Sequence, residues 1–184
     1  MLFASIKQLT KVNFGPYFKA TTKGNVKYLL AGHFDDSYEP VDFENNYITD
    51  EQASKHLLTD QDVILAAKGQ RVFAWHYKSS YGQCVASSLF YVIRVENADV
   101  LPAYLALALN ADQTKLKSLG RGATVTAIPK KELSNFMIPI PPLAEQRKHI
   151  ALADQMSQSI RLTTDLLQHK KILKDTVIKH LLRK

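Results

Sequence analysis

Apolar positions fall into two regimes along the chain. Between residues 24 and 100 they form short runs rich in β-branched and aromatic side chains, at 26–30, 63–66, 72–77 and 84–95. Lys68-Gly-Gln70 and Ser79-Ser-Tyr-Gly82 lie between the later runs, so the pattern predicts strands joined by turns. One short helix is expected among them at 50–57, where Thr49 or Asp50 caps Glu51-Gln-Ala-Ser-Lys-His-Leu57. Helical character then takes over. Pro102 suits a first helical position ahead of Ala103-Tyr-Leu-Ala-Leu-Ala-Leu109, and a second short helix is expected to end at Gly120. Residues 121–126 read as loop or strand, 129–133 as a turn of helix and 136–138 as strand.

Ile138-Pro-Ile-Pro-Pro142 is the clearest boundary. Each proline drives its predecessor toward extended geometry, so the stretch reads as a stiff connector and excludes mid-helix. This places a globular domain at 1–138, a proline connector at 139–142 and a long helix at 143–184. The last segment holds no Gly or Pro, opens with Glu145 in its first turn, and carries apolar residues at helical spacing. A continuous helix of that length is roughly 60 Å long at 1.5 Å per residue, which exceeds the diameter of a domain of about 140 residues. Its stripe of Leu152, Met156, Ile160, Thr163, Leu166, Leu167, Leu173, Val177 and Leu181 therefore calls for a covering helix, giving a coiled coil with a second chain. The alternative is a hairpin folded at 168–171.

Charge changes this picture by its distribution. Twenty-four Lys and Arg against 17 Asp and Glu give +7. Residues 1–27 hold five lysines and no acid, whereas 28–63 hold nine acids and only Lys55. Residues 64–142 and 143–184 each carry nine basic residues against four acids. Such a map favours a folded protein with a positive face over a basic tail, and a polyanionic partner. At 46% apolar and 22% charged residues, the 184-residue chain has the composition of an ordinary globular protein. One cysteine, Cys84, excludes an internal disulfide, and without Cys/His clusters structural zinc is not expected. No run reaches the 18 apolar residues of a membrane span, so a cytoplasmic protein without membrane association is expected.

Catalytic motifs are absent. The chain lacks a Walker loop, a Gly-rich dinucleotide turn, an HExxH pair, and the Asn/Asp-Pro-Pro-aromatic motif of amino-methyltransferases. Cys84 with His76 invites a thiol nucleophile, but a small cysteine inside a strand reads first as core. Asp35, Asp36, Glu39 and Asp42 read as a solvated acidic loop before they read as metal ligands. We expect no catalytic residues and no metal site. Recognition is better supported: Lys68, Arg71, Lys78, Tyr81, Gln83, Lys117, Arg121, Lys130 and Lys131 are the candidate DNA contacts. Lysine and arginine attract phosphate, and Arg and Gln pair with purine edges in the major groove. Arg121 stands between two glycines in Ser118-Leu-Gly-Arg-Gly-Ala-Thr-Val-Thr126, a loop able to bring backbone N–H groups close to phosphate.

Leu133-Ser-Asn-Phe-Met-Ile-Pro-Ile-Pro-Pro-Leu-Ala-Glu-Gln146, followed by a helix ending in Leu173-Lys-Asp-Thr-Val-Ile-Lys-His-Leu-Leu182, resembles the target-recognition repeat of type I restriction-modification specificity subunits. Leu58-Thr-Asp-Gln-Asp-Val-Ile-Leu-Ala-Ala-Lys-Gly69, Ala86-Ser-Ser-Leu-Phe-Tyr-Val-Ile-Arg94 and Leu101-Pro-Ala-Tyr-Leu105 extend the similarity over residues 20–184. Gln61 departs from the glycine common there in the family. The resemblance implies an α+β chain: a mixed, β-rich target-recognition domain followed by a long C-terminal helix that forms an antiparallel coiled coil. Members hold two recognition domains joined by two such helices, and each domain reads half of a split double-stranded DNA target. Methyltransferase and restriction subunits dock on that scaffold, with S-adenosylmethionine, ATP and Mg expected only in those partners and no cofactor in this chain. With one domain and one helix, this chain looks like a half-length, non-catalytic specificity subunit. Antiparallel pairing with its own copy gives a homodimer whose identical readers demand inverted half-sites around an unread spacer. Pairing with a different specificity chain, or a helical scaffold protein that never touches DNA, are the competing readings.

Overall fold

The computed structural model describes residues 2–41, 46–120 and 126–182. It begins with strand β1 (Leu2–Ser5), one helical turn α1 (Ile6–Leu9) and strand β2 (Thr10–Phe14), followed by β3 (Val26–Leu29), β4 (Tyr47–Ile48) and α2 (Asp50–Ala53). Next come β5 (Asp62–Ala66), β6 (Lys68–Gly69), β7 (Ala74–His76), β8 (Cys84–Ala86) and β9 (Phe90–Val95). Helices α3 (Pro102–Ala111) and α4 (Gln113–Ser118), strand β10 (Thr126–Ala127), helix α5 (Lys130–Asn135), strand β11 (Met137–Ile140) and helix α6 (Leu143–Leu181) complete the chain. This is an α+β fold with a β-rich domain and a long C-terminal helix. Two compact units are distinguished, Met1–Arg147 and Lys148–Lys184.

Four antiparallel strands in the order β2-β9-β5-β7 form the main sheet. Its central strand β5 is buried at every position, which suits the continuous apolar run Val63-Ile-Leu-Ala66. A second sheet, β4-β3-β8, pairs β3 with β8 in parallel. Helix α3 packs on β7 and β5, as its buried Tyr104, Leu105, Ala106 and Leu109 require. The core between the sheets is aromatic: Phe34, Phe73, Trp75, Tyr77 and Phe90 cluster with Leu29, Ile64 and Cys84. Gly15 lies where backbone crowds backbone, since a Cβ there would meet the Ser87 carbonyl oxygen at 2.2 Å.

Local chemistry accounts for several boundaries. Thr49 and Gln52 form a reciprocal cap at the start of α2, the Gln52 N–H donating to Thr49 Oγ1 at 3.3 Å and the Thr49 N–H to Gln52 Oε1 at 3.2 Å. That helix stops at Ala53, four residues before the expected end. The expected strand 84–95 is two strands in different sheets. Ser87 donates its N–H to the Leu29 carbonyl and accepts the Phe90 N–H, both at 3.0 Å, so the chain turns between the sheets there. The proline stretch is extended, as its prolines dictate, yet Met137–Ile140 also pairs antiparallel with Leu2–Ser5 in a two-stranded sheet. Strands 2–5 and 10–14 carry too little periodicity to be foreseen. In the last segment α6 runs unbroken through residues 168–171, so the hairpin alternative is set aside.

An ion pair between a buried carboxylate and a solvent-exposed guanidinium braces the main sheet. Asp62 is wholly buried; Arg94, on the neighbouring strand, donates from Nε to Oδ1 at 2.8 Å and from Nη2 to Oδ2 at 2.7 Å. The Thr59 N–H and hydroxyl donate to the same carboxylate, at 2.8 and 3.1 Å. Arg94→Ala leaves Asp62 without its cation but with both threonine donors, so we expect a loss of about 2 kcal/mol. Urea denaturation monitored on Trp75 fluorescence measures it, and an unchanged midpoint contradicts the role.

Candidate nucleic-acid interface

The candidate residues of the β-rich unit sit on three surface features, two of which rest on the same aromatic core. The first is the turn between β7 and β8. Lys78 and Gln83 are exposed, and the half-buried Tyr81 packs its ring on Trp75 with centroids 5.0 Å apart. This turn is stiffly held. The Ser79 N–H donates to Asp60 Oδ1 at 2.6 Å, the Tyr77 hydroxyl to the Gly82 carbonyl at 2.6 Å, and Lys27 Nζ to the Tyr81 carbonyl at 2.8 Å. Gly82 takes φ +80°, a backbone state that favours glycine. Lys78 and Gln83 are thus presented from a fixed turn, and Lys27 is a supporting residue that sequence reasoning did not single out.

The second feature is a shallow cleft lined by Asp36, Tyr38, Gln70, Arg71, Gln113 and Lys117. It brings Arg71 and Lys117 together although 46 positions separate them. Arg71 is largely engaged there. Nη1 donates to the Phe34 carbonyl at 2.9 Å, Nη2 to the Asp35 carbonyl, and the guanidinium lies over the Phe73 ring, 5.4 Å from its centroid. Tyr38, at φ 63°, stacks on Phe73 at 5.1 Å and accepts a hydrogen bond from Gln113 Nε2 at 2.7 Å. Asp35 closes the loop on itself by accepting the Ser37 and Glu39 N–H groups. Arg71 therefore organises the cleft wall, while Lys117 is exposed beside it.

The third feature flanks the Gly-rich loop. Lys68, on β6, pairs with Ala127 of β10, and its ammonium lies 4.9 Å from the centroid of the Phe14 ring. Lys130 and Lys131 are exposed in the first turn of α5. Arg121 and most of its loop lie outside the described residues, as does Asp42. Among the described residues, the candidate cations are distributed over these three features.

Cys84 belongs to the core. It is completely buried, and burial pushes its thiol up to about 11, against a thiolate nucleophile. Burial also lowers the pKa of His76, whose Nε2 lies 2.8 Å from the Asp60 carbonyl oxygen. Cys84→Ser is expected to leave DNA affinity unchanged in a fluorescence anisotropy titration; a large loss there would restore the thiol to consideration. Among the described residues no three His, Cys, Asp or Glu side chains converge as a metal site, and no helix is long and apolar enough to cross a membrane.

The specific motif acquires a physical role at Gln146. This side chain is fully buried in the first turns of α6. Its Oε1 accepts the Leu101 N–H at 2.9 Å, and its Nε2 donates to the carbonyls of Asp99 at 2.7 Å and Pro141 at 2.8 Å. One amide thus ties the start of the helix to the loop before α3 and to the proline stretch. The signal was visible as a glutamine closing the proline motif, but its partner Leu101 lies 45 residues away.

Residues 3–172 match the family described as the type I restriction modification DNA specificity domain. No curated protein matches the chain. Among solved structures, the type I restriction-modification S subunit from M. genitalium superposes with TM-score 0.61 at 15% identity, covering 85% of this chain and 38% of that one. The HsdS subunit from Thermoanaerobacter tengcongensis gives 0.60 at 18% identity, over 88% and 38%. A chain from a study of complex assembly and conformational transition of the type I R-M system gives 0.57 at 17%, over 88% and 39%. This chain thus spans well under half the length of each of these neighbours. With the family match running through the β-rich unit and into most of α6, the chain belongs to the type I restriction modification DNA specificity domain family.

Proposed function

We propose that this chain is a sequence-specific DNA-reading arm of a type I restriction-modification complex, recognising one half of a bipartite target and leaving methylation and cleavage to partner subunits. The observation that carries the reading is the family match over residues 3–172, which takes in the reading unit and the helix as one module. Exposed Lys78, Lys117, Lys130 and Lys131, with the half-buried Lys68, neutralise phosphates, Gln83 and Tyr81 face bases from their braced turn, and Arg121 enters from the Gly-rich loop. Such a division of labour is physically ordinary: phosphate contacts position a reader and base-edge contacts specify the sequence. Two copies joined through α6 present identical readers, and methyltransferase and restriction subunits assemble on that scaffold.

Selection of bound duplexes from a random library tests this directly. The expected product is an interrupted palindrome; absence of any enriched sequence overturns DNA reading, and an asymmetric bipartite product points to a different paired chain. Affinity for the selected site is expected to fall steeply with salt, and Lys117→Ala or Lys130→Ala should each reduce the slope of log K against log salt by about one. A slope unmoved by either substitution removes that lysine from the interface.

A further inference from the structure

In the cleft that Arg71 shares with Lys117, one amide is held in place with its pairing groups open. Gln113 is the first residue of α4 and is half-buried. Its Nε2 donates to the Tyr38 hydroxyl at 2.7 Å, across 75 positions of chain. That bond takes one of the amide's two hydrogens, and among the described residues its Oε1 and second N–H have no hydrogen-bond partner. Tyr38 is itself fixed. At φ 63° it is the one non-glycine residue with positive φ among those described, a state that persists only where its surroundings impose it. Asp35 closes the turn around it, accepting the Tyr38 N–H on its carbonyl at 3.1 Å and the Ser37 and Glu39 N–H groups on its carboxylate. The Tyr38 ring lies flat on Phe73, with 4° between the planes. A strained, stacked tyrosine thus directs its hydroxyl to orienting one glutamine.

We infer that Gln113 is a specificity-determining residue and that the base it reads is adenine, by its major-groove edge, with Tyr38 as the positioning residue. This deepens the DNA-reading role proposed above and rests on it. A glutamine amide sets an acceptor beside a donor, the complement of adenine N6–H and N7, whereas Arg and Lys complement guanine and a carboxylate complements cytosine. The other side chains of the cleft are less suited. Arg71 directs Nη1 and Nη2 to the Phe34 and Asp35 carbonyls. Gln70 is exposed and has no hydrogen bond among the described residues, so placing its amide on a base costs rotamer entropy that Gln113 has already lost in folding. Lys117 offers donors and charge alone, which suits phosphate, and it stands four residues on along α4, on the same face and roughly 6 Å further along the axis. Asp36, which also lines the cleft, is fully exposed, 3.8 Å from Arg71 Nη2, and repels phosphate. A phosphate therefore belongs at Lys117 and a base edge at Gln113, the division between positioning and reading that a DNA contact surface needs.

Selection from a random duplex library, run side by side on the unsubstituted chain and on Gln113→Ala, tests this. The variant is expected to select the same site with one adenine per recognised half no longer enriched, the preference for it falling from about 10–100-fold to near unity. Anisotropy on a half-site carrying 7-deazaadenine at that position, which lacks the N7 acceptor, reads the contact at one atom. The unsubstituted chain should bind this duplex about 3–10-fold more weakly than its adenine counterpart, and Gln113→Ala should not distinguish the two. Tyr38→Phe keeps the ring on Phe73 and removes the hydroxyl, so preference at the same adenine should fall about 2–10-fold with the other positions unmoved. It also decides the matter where Gln113→Ala does not fold: a preference unmoved by Tyr38→Phe overturns the positioning. An identical selected sequence for the unsubstituted chain and Gln113→Ala, or a relaxed position that is not adenine, overturns the inference and leaves DNA reading standing. No enriched sequence for the unsubstituted chain overturns both.

Discussion

A chain carrying Leu166→Glu and Leu167→Glu is expected to be monomeric and to bind the full interrupted palindrome about 10²–10⁴-fold more weakly than the unsubstituted protein. Both leucines are more than half exposed in the single chain, so replacing them removes little packing within it, and glutamate is a good helix former. Their effect falls on the pair. In the proposed dimer four carboxylates would stand on the paired stripe, where desolvation and repulsion act together. In the proposed dimer, two readers on one scaffold would make the second half-site contact intramolecular, and that advantage would disappear when the copies separate. Affinity for an isolated half-site supplies the control, since one reader suffices there, and it should not change. The measurement is an anisotropy titration on full and half sites beside light scattering; a dimer that survives both substitutions places the interface elsewhere.

Gln146→Leu is expected to cost roughly 4 kcal/mol, because a side chain of similar volume fills the space while leaving the buried Pro141 carbonyl and the part-buried Leu101 N–H and Asp99 carbonyl without their partner. For a chain of this size that corresponds to a fall in Tm of roughly 8–16 °C. Leucine is the informative choice because it excludes the water that a smaller residue would admit. Gln146→Glu supplies a second arm: it keeps the acceptor for Leu101 but loses both donated bonds and introduces a buried charge, so it should be no more stable than the leucine variant at neutral pH. Calorimetry reads both. A Tm within a degree or two of the unsubstituted protein for Gln146→Leu would sink the assignment of this amide as the tie between α6 and the loop before α3.

Where signals are local, the fold was legible. The strands at 26–29, 62–66 and 90–95 announce themselves by β-branched and aromatic runs, and α3 by Pro102 ahead of an apolar stretch. The short β1 and β2 were missed because four or five residues with mixed burial carry almost no period. Residues 84–95 read as one strand because the apolar run is continuous; nothing in it discloses that Ser87 turns the chain from one sheet to another. The candidate interface was legible to a similar degree. Lysines at 78, 117, 130 and 131 are exposed, as a phosphate-binding role requires, but a sequence cannot distinguish an arginine that reaches solvent from one that holds its own loop. Arg71 does both: its side chain is partly exposed while it donates to two backbone carbonyls and lies over the Phe73 ring.

By itself the sequence determined the division into a β-rich part and one long helix, and the apolar stripe on that helix. These follow from period, from the absence of Gly and Pro, and from the identity of residues a few positions apart. Tertiary structure alone decided that the N-terminal strand closes on Met137–Ile140, that Arg94 neutralises Asp62, and that Gln146 ties the start of α6 to the loop before α3. Each of those is a hydrogen-bonded meeting of residues 32 or more positions apart, and such meetings satisfy buried polar groups without leaving any periodic trace along the chain.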